Sequence, residues 1–182
     1  MALPLVGIGG RLKRAGLDVH AVEGWRDSSG PGTFTPGGTV FHHTASARTG
    51  GNVPSLGLVV QGTSEVAGPL CNILIGRNGR VILIAAGRSN HAGLGGPLRG
   101  IPKDSANMHT IGVEVENDGI GEAWTRELLR AVDTTFTVLL DFVGQGPGRH
   151  FGHKEWAPHR KIDPAGVGMD ADRRRVREML GS

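Results

Sequence analysis

The chain contains no tyrosine and one cysteine, Cys71. The first absence rules out any mechanism that needs a phenol. The second rules out an internal disulfide and a zinc-finger cysteine pattern, so stability must come from a packed core. No apolar run approaches the roughly 18 residues that would cross a membrane, and no membrane insertion is expected. The first ten residues are apolar, but Arg11, Lys13 and Arg14 follow them instead of preceding them, which reverses the order of a signal peptide. These features predict a soluble protein made in a cytoplasm without an export signal of its own. The net charge of +3 is too small to argue for nucleic-acid binding.

Glycine is abundant, with 31 among 182 residues, and is scattered among apolar runs without a fixed period. This excludes a collagen-like or simple disordered chain and predicts one compact domain with many loops. Residues 1–38 read weakly, with a short helix near 10–15. A strand over 39–44 follows, then a short helix over 54–61 with Leu56, Val59 and Val60 on its buried side. Residues 71–75 and 81–85 flank Asn78-Gly79, which predicts a β-hairpin. A long loop spans 86–109. Residues 111–117 alternate, with Ile111, Val113 and Val115 on one face and Glu114 and Glu116 on the other. A helix over 125–143 has Thr125 as N-cap and Gly144 as its stop, and a last helix over 170–180 packs Val176, Met179 and Leu180. The pattern predicts a single α/β domain with a central mixed β-sheet flanked by α-helices.

The chemistry gathers in two places. Residues 152–164 hold His153, Lys161 and Asp163 in a stretch that Pro158 and Pro164 keep from being a helix. In extended backbone Lys161 and Asp163, two residues apart, point the same way. A histidine and an aspartate beside a fixed cation point to a metal site, and a catalytic zinc takes three such ligands and keeps a position for water. The strand over 39–44 ends in His42 and His43. Strand side chains alternate, so one of the pair can be a ligand and the other is structural.

The segments His42-His43-Thr44-Ala45, Ile75-Gly76-Arg77-Asn78-Gly79, His91-Ala92-Gly93, Ile111-Gly112-Val113-Glu114 and 152–164 occur in the order found in type-2 N-acetylmuramoyl-L-alanine amidases. The chain resembles that family over about residues 38–165, and most closely resembles endolysin domains of phages that infect actinobacteria. The family also includes bacterial amidases and animal peptidoglycan recognition proteins. The resemblance implies one zinc amidase domain over residues 1–182, with 1–37 an N-terminal extension to which no role is assigned. It implies His42, His153 and Asp163 as zinc ligands, Glu114 as acid and base, Lys161 as the oxyanion partner, and His91 as a substrate-binding residue near the cleft. Cys71 stands where some relatives carry a catalytic-site tyrosine. The implied substrate and partner is peptidoglycan, cut between N-acetylmuramic acid and L-alanine at the bacterial wall by a monomer. Two rival readings are a peptidoglycan-binding module without catalysis and a zinc peptidase acting within the stem peptide.

Overall fold

The computed structural model describes residues 3–181. Helix α1 (Ile8–Arg14) and strand β1 (Val19–Ala21) come first, followed by β2 (Thr39–His43) and α2 (Leu56–Gln61). The hairpin of β3 (Ile73–Ile75) and β4 (Val81–Leu83) leads to α3 (Ala106–His109) and β5 (Ile111–Val115). Helix α4 (Arg126–Phe142), β6 (His150–Gly152), α5 (His153–Trp156) and α6 (Met169–Leu180) complete the order. The six strands form one sheet in the order β1-β4-β3-β5-β2-β6, parallel except across the β3–β4 hairpin. The predicted mixed sheet in a single α/β domain is what the structure contains.

Strand β2 lies between two parallel neighbours and is buried along its whole length, which is why it reads as an unbroken run of buried residues. On one face of the sheet, Phe41, Ile73, Ile75, Val81, Val113 and Val115 pack against Leu12 of α1, Phe136 of α4 and Val176 of α6. The opposite face carries two smaller clusters, one around Val40, Phe151 and Trp156 and one around Val59, Leu74 and Ile82. Parallel pairing puts His42 in register with Glu114, and Glu114 in turn with Leu74, so both polar residues share this second face. Because β2, β5 and β6 run the same way, their C-terminal ends open on one side. That is where ligands bind in parallel sheets.

Local signals account for the better-predicted elements. Thr125 Oγ1 accepts the Leu128 N–H at 3.2 Å and caps α4, and Gly144 at φ 65° ends the helix in a left-handed turn. Gly79 at φ 80° supplies the backbone the hairpin turn requires. Other expectations need correction. Val60 and Met179, placed on packed faces, are each 37% exposed. The segment 152–164 does contain helix, the single turn α5, which closes before Pro158.

Residues 3–37, to which the sequence assigns no role, pack into the same domain as the rest of the described chain. Leu5, Ile8, Leu12 and Trp25 are no more than 5% exposed and belong to the main core. Strand β1 pairs with β4 as an edge strand, and the Gly30 N–H donates to the Arg88 carbonyl at 2.7 Å. Leu12→Ala should therefore cost about 2–5 kcal/mol of folding stability by urea denaturation. Lys13→Ala, on the exposed side of the same helix, should change it by less than about 0.5 kcal/mol. Equal small losses in both variants would mean that α1 does not contribute to the core.

Candidate metal centre and active site

Three segments meet at the open end of the parallel strands. His42 is the penultimate residue of β2, His153 opens α5 directly after β6, and Asp163 follows the turn beyond α5. His42 Nδ1, His153 Nδ1 and Asp163 Oδ2 form a triangle with all three sides 3.0 Å. All three residues are buried, at 1%, 3% and 8% exposure. They are the one group of metal-ligating side chains found together among the described residues.

The surrounding hydrogen bonds fix which ring nitrogens carry protons. His153 Nε2 lies 2.9 Å from the Ala92 carbonyl, which can only accept, so Nε2 holds a proton and in the neutral ring Nδ1 keeps its lone pair. His91 Nε2 lies 3.3 Å from the Thr110 carbonyl and is the donor there, leaving His91 Nδ1 as an acceptor. His42 Nε2, at 3.0 Å from that acceptor, must then carry the proton, and His42 Nδ1 is bare. Two imidazole lone pairs and a carboxylate oxygen thus face one point with no proton between them. Such an arrangement repels itself unless a cation sits there. Tetrahedral zinc ligands lie about 3.3 Å apart, so the residues present fit that ion. Burial and the neighbouring His153 push the His42 pKa down to about 4, keeping the ring neutral and able to ligate.

Glu114 stands beside this triangle. The side chain keeps partial access to solvent, yet its Oε2 is enclosed and has no hydrogen-bond partner. Burial, reinforced by the negative charges of Asp163 and Glu116 and opposed by Lys161, pushes its pKa up to about 8. Lys161 is partly buried, acts electrostatically on His42 and Glu114, and forms no ion pair among the described residues. Glu116 differs sharply from Glu114. Fully buried, it accepts hydrogen bonds from the Thr44, Ser46 and Ser55 hydroxyls and the Ser55 N–H, which leaves it no role as a base.

Each of the other sequence-predicted residues has a definite place. His43 faces away from the triangle, and its Nδ1 accepts the Ala165 N–H at 3.1 Å. His91, expected to bind substrate, is 8% exposed, with one ring nitrogen on His42 and the other on Thr110. Its ring fits because residue 112 is glycine: a Cβ there would lie 2.4 Å from His91 Cγ. Cys71 is fully buried in an apolar cluster, and burial pushes its thiol pKa up.

Sequence reasoning overlooked how α5 binds its surroundings. Glu155 Oε2 accepts the Gly152 N–H at 2.9 Å, and the same carboxylate pairs with Arg173 of α6. Trp156 Nε1 donates to the Gly93 carbonyl at 3.1 Å, and Arg160 donates to the carbonyls of Ala92 and Leu94. Lys154 reaches toward the Asp163 segment. Adjacency to His153 was the only available signal for these residues, since most of their partners are backbone atoms distant in sequence.

No curated protein matches the chain in sequence. The structure is similar to a selenomethionine derivative of AmpD, with a TM-score of 0.65 at 20% identity, covering 87% of this chain and 94% of that one. It is similar to the endolysin N-acetylmuramoyl-L-alanine amidase LysCS from Clostridium intestinale, at TM-score 0.61 and 16% identity over 87% and 94% of the two chains. The catalytic domain of XlyA gives TM-score 0.65 and 15% identity over 88% and 99%. These likenesses establish the fold. The sequence profile of the family described as N-acetylmuramoyl-L-alanine amidase matches residues 33–166, a span that holds all six predicted site residues, and the chain belongs to that family.

Proposed function

We propose that the protein is a zinc-dependent hydrolase that cuts the amide between N-acetylmuramic acid and L-alanine in peptidoglycan, acting at the bacterial wall as a phage endolysin. The observation that carries this reading is the meeting of three proton-free donors, His42 Nδ1, His153 Nδ1 and Asp163 Oδ2, beside the unpartnered Oε2 of Glu114. A zinc ion held by those donors would supply the positive charge that acidifies a water and polarises the amide carbonyl. The lytic role draws support from the endolysin among the similar structures.

Glu114 accepts the proton of the attacking water and returns it to the leaving nitrogen. In the metal-free protein the Glu114 pKa is raised to about 8, and a bound cation would lower it toward the range a general base needs near neutral pH. The Lys161 ammonium stabilises negative charge as it develops on the carbonyl oxygen. His91 orients His42 through their shared hydrogen bond and lies beside the cleft that receives the substrate. A module that only binds the wall needs neither an acid–base carboxyl nor an unpaired ammonium, so Glu114 and Lys161 favour catalysis.

The purified protein should hold about one zinc per chain and stop lysing cell walls in a strong chelator. Mass spectrometry of the digest should find intact stem peptides with free L-alanine amino termini. Cuts within the stem peptide would identify a peptidase, and an undigested wall a binder.

His42→Ala should lose zinc and lysis together. His43→Ala should keep zinc and melt at a lower temperature, because its ring faces Ala165. Metal analysis of the two variants checks this, and zinc kept by His42→Ala but lost by His43→Ala would reverse the facing.

Glu114→Gln should keep zinc and lower kcat roughly 100-fold or more, since an amide cannot take the proton. A separate consequence belongs to the metal-free protein. The Glu114 pKa rises from 4.5 to about 8 on folding, so its neutral form favours the folded chain. That contribution is complete below pH 4.5 and is lost as pH rises through about 8. Over this window metal-free Glu114→Gln should lose less thermal stability than the parent, and parallel melting curves would show that the carboxyl is not held neutral.

A further inference from the structure

We propose that Lys154 is a positioning residue of the metal centre, the fastener that holds the Asp163 segment in place against α5. This rests on the zinc reading above. Lys154 follows His153 in α5, and its own N–H donates to the Asp163 carbonyl at 2.8 Å. Its ammonium donates to the carbonyls of Pro164 and Val167, each at 2.7 Å. One residue therefore bonds three carbonyls of the segment that presents one metal donor, while being joined by a peptide bond to the residue that presents another.

The segment depends on such a partner. Residues 161–168 form neither strand nor helix, so their carbonyls have no ladder to satisfy them, and Pro164 has no N–H to contribute. An ammonium offers three donors on a flexible stem and can serve two carbonyls at once. Lys154 is partly buried and forms no ion pair among the described residues, so its charge is directed at these carbonyls. The other side of α5 is held by Glu155, which caps the Gly152 N–H and grips Arg173 of α6. With α5 fixed in this way, Lys154 sets the distance from His153 Nδ1 to Asp163 Oδ2, which is 3.0 Å. Without the ammonium, two carbonyls lose their donor and the Asp163 oxygen loses its fixed position.

The test compares Lys154→Met, which keeps the aliphatic stem, with Lys154→Arg, which keeps cationic N–H donors. Zinc affinity is measured by competition with a chromophoric chelator. The metal-free melting temperature and the ligand-field bands of the cobalt-substituted protein are recorded for each variant. The parent is measured first, and a parent that binds no zinc would defeat the zinc reading itself. Given a zinc-binding parent, Lys154→Met should bind zinc roughly 10- to 100-fold more weakly with altered cobalt bands, and Lys154→Arg should recover most of the loss. Parent-like affinity and bands in Lys154→Met would overturn the proposal, as would a lower melting temperature with unchanged affinity of the folded protein. If Lys154→Met does not fold, Lys154→Gln replaces it, with one donor group for the two carbonyls. Weakened zinc binding in Lys154→Gln supports the proposal, and parent-like binding, or failure of this variant to fold as well, assigns Lys154 to stability and overturns it.

Discussion

Three electron-rich atoms held 3.0 Å apart repel one another, and much of the hydrogen bonding at this end of the sheet serves to keep them there. The Ala92 carbonyl sets the tautomer of His153, and Thr110 acting through His91 sets that of His42. Each bond removes a proton that could otherwise have sat between the donors and eased the repulsion. Part of the cost is met by the sheet, in which β2 fixes the backbone of His42 and β6 leads directly into His153. A preformed site of this kind would give up folding energy in exchange for affinity toward a cation.

Glu114 and Glu116 illustrate how environment divides identical side chains. They lie two residues apart at the end of one strand, and alternation assigns both to the polar face. Glu116 is saturated with donors from residues 44–55 and acts as a structural anchor tying that loop to the sheet. Glu114 has an oxygen without a partner and a pKa raised to about 8. Four donors commit one carboxylate to holding its neighbours in place, whereas the other keeps an enclosed oxygen free for proton transfer.

Much of the core was legible in the sequence because its signals are local. The alternation over 111–117, the Asn78-Gly79 turn and the Thr125 cap each declare an element within a few residues, and all three were found where expected. The His42, His153 and Asp163 group was named through family motifs; spacing alone left His42 and His43 undecided until β2 was seen in register with β5. Strand β1 was missed because it has three residues and its partner β4 lies some sixty positions away. The turn α5 was missed because Pro158 and Pro164 outweighed four residues of helix between them and Gly152. His91, Lys154 and Glu155 act on backbone atoms or rings that only the folded chain brings near, and no pattern in one sequence encodes such contacts.

Gly112 shows how far this coupling extends. It is the second residue of β5, where a glycine ordinarily weakens a strand, and the space its missing side chain leaves is filled by the His91 ring. Replacing it with alanine would keep every ligand and every strand residue in the chain. The new methyl would nevertheless occupy the volume of an imidazole, tilt that ring, and turn the lone pair of His42 away from its two companions. One carbon added on a buried strand would thus be felt at the His42, His153 and Asp163 triangle through two rings in series, from a residue outside it.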